Sequence, residues 1–219
     1  MQDYIHEPDE HECFCISALP TNPMLGRMLP AVRHWLGVKE KEFRDNKYVT
    51  FHLPVDKDTV DKAKKLILES NVRRPVMEDE EGIRSWSEVQ AQDDFLYVLK
   101  QQLKIIDALA SSCKSKPHRK TLTWANIYAE AECIPKHTDN EGSLQAVFVL
   151  ESPDVALGGA TILHEPINKT IHLRAGDVLL FKAATVPHST TPIMRGLKTQ
   201  SNNRRIVLVR RYYHTELNI

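Results

Sequence analysis

His137, Thr138 and Asp139 form a His-x-Asp tripeptide, and a second histidine, His188, follows fifty-one residues after the first. On a β-strand, residues i and i+2 point to the same side, so His137 and Asp139 can converge on one ion. A histidine from a distant strand would complete a face of two imidazoles and one carboxylate. Such a face leaves positions open on an octahedral metal and suits non-haem iron(II), whose oxygen chemistry needs that room. Alone, His-x-Asp reads more readily as a surface turn than as a metal site, so its weight comes from its neighbours.

Those neighbours are specific. Asn126-Ile127-Tyr128 lies upstream, with Tyr128 nine residues before His137, and positions 126 and 128 share a strand face. Downstream, Arg174-Ala175-Gly176-Asp177 reads as a turn before an apolar strand that leads into His188. Arg205, seventeen residues after His188, opens the apolar run Ile206-Val207-Leu208-Val209. On that strand Arg205, Val207, Val209 and Arg211 share one face, and Arg204, Ile206, Leu208 and Arg210 the other. A basic run is usually a solvated face. Arginines that flank so apolar a strand can instead be buried, and would then need an anionic partner.

The elements that must position these residues change character along the chain. A helix is expected over Met24 to Trp35, starting or interrupted near Pro30, and a short strand over Tyr48 to Leu53. Asp58 to Ser70 carries Val60, Ala63, Leu66 and Ile67 at helical spacing, with Asp56 or Asp58 as its cap. Asp94 to Ser111, with Leu96, Leu99, Leu103, Ile106 and Leu109, reads as one amphipathic helix. From residue 120 the chain turns to short β-prone runs: Thr121 to Tyr128, Gln145 to Leu150, Ala160 to Leu163, Thr170 to Leu173, Val178 to Phe181 and Arg205 to Tyr213. Helices followed by closely spaced strands predict an α+β fold. Its core would be a double-sheet barrel, or jelly roll, with helices packed outside. The expected organisation is a single domain over residues 1–219, with 1–118 a mainly helical support region and 119–213 the jelly-roll core.

Composition adds bounds. The chain has 219 residues, 42% hydrophobic and 26% charged, and a formal net charge of zero. It can bury a full core, and its charge balance exerts no global pull toward nucleic acid or a membrane. No run approaches the ~18 apolar residues of a membrane span, and the first residues lack signal-peptide character. The acidic runs Glu7-Pro8-Asp9-Glu10 and Glu78-Asp79-Glu80-Glu81 read as solvated loops. Cysteines 13, 15, 113 and 133 match no zinc spacing. They are expected to stay reduced in an intracellular protein, with Cys13 and Cys15 simply sharing a strand face.

Over about residues 120 to 213 the sequence resembles the iron(II) and 2-oxoglutarate-dependent oxygenase superfamily, most closely its AlkB-like branch. The matching residues are Asn126, Tyr128, His137, Asp139, Gly176, Asp177, His188 and Arg205. Ile134-Pro135-Lys136-His137-Thr138-Asp139-Asn140-Glu141 is similar to a motif of some AlkB relatives. Other features are similar to prolyl-hydroxylase-like members: Gly158-Gly159-Ala160-Thr161, and His188-Ser189-Thr190-Thr191-Pro192 followed by Gly196 and Lys198.

The resemblance implies iron(II) held by His137, Asp139 and His188, with 2-oxoglutarate and O2 as co-substrates. It implies hydroxylation of a substrate C–H bond with release of succinate and CO2. The distal carboxylate of 2-oxoglutarate needs a buried cation, and a guanidinium suits it by pairing with both oxygens. Arg205 is the expected anchor and Lys198 its rival. Asn126 and Tyr128 are expected to hydrogen-bond the co-substrate, although Tyr128 also reads as a core aromatic. The AlkB-like pattern implies oxidative demethylation of nucleic acid. The other features imply an amino-acid, peptide or small-metabolite hydroxylase. A non-catalytic cupin-like binding module is the reading from another class. No membrane partner is expected, and no nucleotide-recognition lid is recognisable in the first 120 residues. Asp177 reads as a turn residue, His164 and His172 as ordinary histidines, and Trp124 as core or barrel lining.

Overall fold

The structure, a computed structural model, describes residues 30–70, 73–77, 85–90, 93–113, 120–139, 144–195 and 204–213. Cys13-Phe14-Cys15, both acidic runs, the stretch Met24 to Leu29, and Asn140, Glu141, Gly196 and Lys198 lie outside them.

The described residues of the first half supply four helices: α1 (Pro30–Asn46), α2 (Lys57–Leu68), α3 (Asp93–Val98) and α4 (Lys100–Ser112). Pro30 opens α1, where its fixed φ fits the helix and its missing N–H costs no bond. Asp56 caps α2 by accepting from the Thr59 backbone N–H at 2.7 Å. The single helix expected from Asp94 to Ser111 is bent at Leu99 (φ −96°, ψ 13°). Hydrogen bonds still cross the bend, from Leu99 to Phe95 and from Leu103 to Leu99. The bend lets α3 pack on α2 while α4 packs on α1 and β5. Phe95, Leu99 and Leu103 are buried along the way, so packing overrides local helix regularity.

The described residues form ten strands, numbered in chain order: β1 (Tyr48–His52), β2 (Arg73–Met77), β3 (Ser85–Gln90), β4 (Lys120–Tyr128), β5 (Leu144–Glu151), β6 (Thr161–Leu163), β7 (Lys169–Ile171), β8 (Asp177–Phe181), β9 (His188–Thr190) and β10 (Arg205–Tyr213). They form a seven-stranded antiparallel sheet in the order β1-β8-β5-β10-β4-β3-β2 and a three-stranded sheet in the order β7-β6-β9. This is the expected α+β jelly-roll architecture. The region read as helical also contributes β1, β2 and β3 to the larger sheet; only β1 stood out in the sequence.

The larger sheet separates two apolar cores. On one face Ile206, Leu208, Phe148 and Leu180 meet Phe43, Ile67, Phe95 and Ile106 of the helices. On the other, Val207, Val209, Val147 and Leu179 meet Leu163 and Ile171 of the smaller sheet inside the barrel. All eight residues of β5 are buried, because both of its faces are covered. Arg210, on the helix side of β10, grips Asp107 of α4 with Nε and Nη2 at 2.6 and 2.8 Å, and the Tyr212 hydroxyl donates to the same carboxylate at 2.8 Å. None of the described helices is long and apolar enough to cross a membrane.

Asp107→Ala should lower stability by about 1–2 kcal/mol, because it strands the largely buried Arg210 and Tyr212 donors while removing a partly exposed partner. A urea titration would read this as a lower midpoint. His52 titrates the same architecture from the sheet edge. Its Nδ1 lies 2.9 Å from Asp177 Oδ1, and that hydrogen bond raises its pKa above 6.5 against a smaller effect of burial. The stabilisation is full below the unfolded-state value and is lost as pH rises through the folded one. NMR titration should show the raised pKa, and Asp177→Asn should abolish the rise.

Candidate metal and dicarboxylate site

The site lies inside the barrel, on the face of the larger sheet turned to β6, β7 and β9. His188 opens β9, which pairs with β6 so that Leu163 faces His188. The segment holding His137 and Asp139 belongs to no strand proper. It is tied to β9 by an isolated antiparallel bridge, His137 N–H to His188 C=O at 3.0 Å and His188 N–H to His137 C=O at 2.8 Å. The Asp139 N–H donates to the Ala183 carbonyl at 3.2 Å. The two histidine rings are thereby brought to 4.3 Å, with Phe181 edge-on to His188 at 4.8 Å.

One ligand atom from each of His137, Asp139 and His188 lies within 4.8 Å of the others. The ring orientations are informative. His137 Nδ1 lies 2.8 Å from the Pro135 carbonyl and His188 Nδ1 lies 3.0 Å from the Val186 carbonyl. A carbonyl only accepts, so each Nδ1 carries the hydrogen and each Nε2 turns a lone pair toward Asp139. Metal-binding histidines are oriented in this way. Burial, and then the nearby His137, push the His188 pKa down to about 4, which keeps its imidazole neutral. Burial raises the Asp139 carboxyl as well, with the Arg211 and His137 charges pulling against it.

Among the described residues four buried polar atoms lack a hydrogen-bond partner: Asp139 Oδ2, Arg205 Nε, Asn126 Oδ1 and Trp124 Nε1. All four belong to residues on the barrel side. β4 and β10 pair in a register that sets Tyr128 against Arg205 and Asn126 against Val207. Arg205 is 1% exposed, and Nη2 donates to Thr161 Oγ1 at 2.9 Å. Among the described residues no carboxylate pairs with it, and burial lowers its pKa. Asn126 Nδ2 donates to the Tyr128 hydroxyl at 3.1 Å. Burial raises the pKa of that phenol to about 12, so its own proton is free to donate onward.

The C-terminal arginines are therefore sorted by face. Arg204 pairs with Glu151 at 2.6 Å and Arg210 with Asp107, while Arg205 and Arg211 turn inward. A solvated basic face is not what forms. Arg211 reaches Asp139, with Nη2 2.5 Å from Oδ1. Sequence reasoning passed over two contributors. Thr161 of the Gly-Gly-x-Thr motif binds Arg205. Gly158, at φ +90°, lies where a Cβ would sit 2.3 Å from the Pro192 carbonyl oxygen, so the loop before β6 requires glycine. His164, read as ordinary, lies at the rim with Nε2 2.9 Å from Ser189 Oγ. Asp177 braces the turn before β8 by accepting from the Arg174 N–H at 2.7 Å, as its position suggested. Trp124 packs against the barrel core.

Comparison with solved structures agrees with this architecture. A prolyl hydroxylase from Trichoplax adhaerens, solved in complex with a hypoxia inducible factor oxygen degradation domain peptide fragment, aligns over 84% of this chain and 91% of its own. It does so at 13% identity with a TM-score of 0.68. A prolyl-4-hydroxylase from Pseudomonas putida aligns over 83% and 100%, at 16% identity and a TM-score of 0.65. The fold is that of the iron(II) and 2-oxoglutarate oxygenases. The non-heme alpha ketoglutarate dependent epimerase SnoN from nogalamycin biosynthesis also shares it, over 82% and 83%, at 17% identity and a TM-score of 0.62. No protein-family model matches the sequence, and no curated protein matches it. These neighbours share the superfamily fold without favouring its AlkB-like branch.

An unpaired, fully buried arginine is a poor choice for stability. Arg205→Met should raise the stability of the ligand-free protein by about 1–4 kcal/mol, as replacements of buried charge by apolar side chains often do. Thermal unfolding without ligand would register the gain as a higher midpoint.

Proposed function

We propose that the protein is an iron(II) and 2-oxoglutarate-dependent dioxygenase that hydroxylates a C–H bond of its substrate. The observation that carries this reading is the convergence of ligand atoms from His137, His188 and Asp139 in a barrel interior that also holds a buried cation, Arg205, with no carboxylate partner among the described residues. Two imidazoles and one carboxylate fit iron(II) and leave part of its coordination sphere open. The buried Arg205 guanidinium, whose Nε lacks a partner, and the phenol proton of Tyr128 fit a dicarboxylate.

In this reading His137, Asp139 and His188 hold the metal. Arg205, kept in place by Thr161, anchors the distal carboxylate of 2-oxoglutarate. Tyr128 offers it a phenol proton, which suits a carboxylate oxygen, and Asn126 holds that hydroxyl through Nδ2. Val147, Val149, Val207 and Val209 line the chamber and exclude water. When bound, iron, 2-oxoglutarate and O2 supply the oxidising chemistry, in which one oxygen atom goes to succinate as CO2 leaves and the other to the substrate.

For the substrate, the residue pattern around Asn126, Tyr128 and Arg205 supports AlkB-like oxidative demethylation of nucleic acid. Hydroxylation of a peptide or small molecule is the second reading, favoured by the likeness to a hydroxylase solved with a peptide.

Wild-type protein given iron(II), ascorbate and 2-oxoglutarate should release succinate and CO2. His137→Ala, Asp139→Ala and His188→Ala should each abolish this; absence of wild-type turnover would instead favour a binding module. Arg205→Ala should weaken 2-oxoglutarate binding by about 10- to 100-fold, the loss of one or two charge-assisted bonds. Calorimetry on the Mn(II)-loaded protein reads that constant. Mass spectrometry on N-methylated oligonucleotides and on proline-containing peptides separates the substrate readings by loss of a methyl group or gain of an oxygen.

A further inference from the structure

Arg211 is the other inward-facing arginine of β10, and its contacts are unusual for an arginine beside a carboxylate. An isolated guanidinium–carboxylate pair favours two parallel bonds that grip both oxygens. Here Nε and Nη2 of Arg211 both donate to the amide Oε1 of Gln145, at 2.9 and 2.7 Å. Gln145 is 6% exposed and stands opposite Arg211 in the register of β5 with β10. Trp124 covers the guanidinium, its ring centroid 5.0 Å from Cζ. Nη2 reaches only Oδ1 of Asp139, at 2.5 Å. Oδ2 stays without a partner and faces His188 Nε2 at 3.7 Å.

We propose that Gln145 is a positioning residue for the metal ligands: it occupies one edge of the Arg211 guanidinium, so that Arg211 holds a single oxygen of Asp139 and the other is free for a divalent cation. The inference rests on the metal site described above. A carboxylate fixed through one oxygen also keeps a coordination position open that a bidentate carboxylate would fill. Without the amide oxygen, the Nε–Nη2 edge of Arg211 turns to both oxygens of Asp139 and competes with the cation.

The test is calorimetric titration of the full chain with Mn(II), which resists oxidation and reads binding without turnover. Gln145→Leu should weaken Mn(II) binding by about tenfold, within the range typical of lost partners behind metal ligands. Gln145→Glu keeps an oxygen acceptor opposite Arg211 and should restore wild-type affinity. Should the leucine variant fail to fold, Gln145→Asn, whose shorter side chain withdraws the oxygen, takes its place. Wild-type affinity in the leucine variant, with Asp139→Ala unable to bind, would overturn the role of Gln145 alone. Equal weakening in the leucine and glutamate variants would overturn it too, by pointing to packing. Undiminished binding in Asp139→Ala would instead remove the metal site itself.

Discussion

The architecture depends on the two-residue alternation of β10. This strand is paired on both edges, to β4 and β5, along nearly its whole length. Such a strand cannot rotate to relieve an unfavourable side chain, because each residue is committed to one face. Ile206 and Leu208 must face the helices, and Arg205, Val207, Val209 and Arg211 must face the barrel. One set closes the structural core and the other furnishes the site. The helices support the chemistry only indirectly, by covering the back of the sheet and fixing the strand that carries both arginines.

Inside the barrel, stability and function pull apart. A core chosen for stability would contain no unpaired guanidinium and no orphaned carboxylate oxygen, since buried polar groups without partners are costly. This chamber holds four such atoms in one region, next to an otherwise aliphatic lining. The surrounding sheet withstands that cost because β5, β8 and β10 are almost wholly buried. Groups left unsatisfied together, against an apolar lining, suit a ligand that satisfies them together.

The irregular segments carry as much of the site as the strands do. His137 and Asp139 do not sit on a regular strand; bridging bonds to His188 and Ala183 aim them. Gly158 lets the loop before β6 pass against Pro192, which sets Thr161 under Arg205. The rigid sheet provides position, and these short bridged segments provide direction.

Much was legible from residue order alone. The His-x-Asp tripeptide, the distant His188, the Asn126–Tyr128 face and the inward set on β10 follow from local periodicity, which is a property of the chain before it folds. The helices at α2 and α4 and most of the barrel strands were legible for the same reason. Tertiary structure alone decided the rest. Strands β2, β3 and β9 lack the apolar runs that marked the other strands, and pairing with their neighbours makes them strands. The bend at Leu99 arises because α3 and α4 pack on different partners. Which arginine lies unpaired depends on where Asp107, Glu151 and Asp139 come to rest, and those carboxylates are distant in sequence. The role of Gln145 is of the same kind. An amide in a buried strand carries no local signal, and it gains meaning only when a guanidinium sixty-six residues away is folded against it.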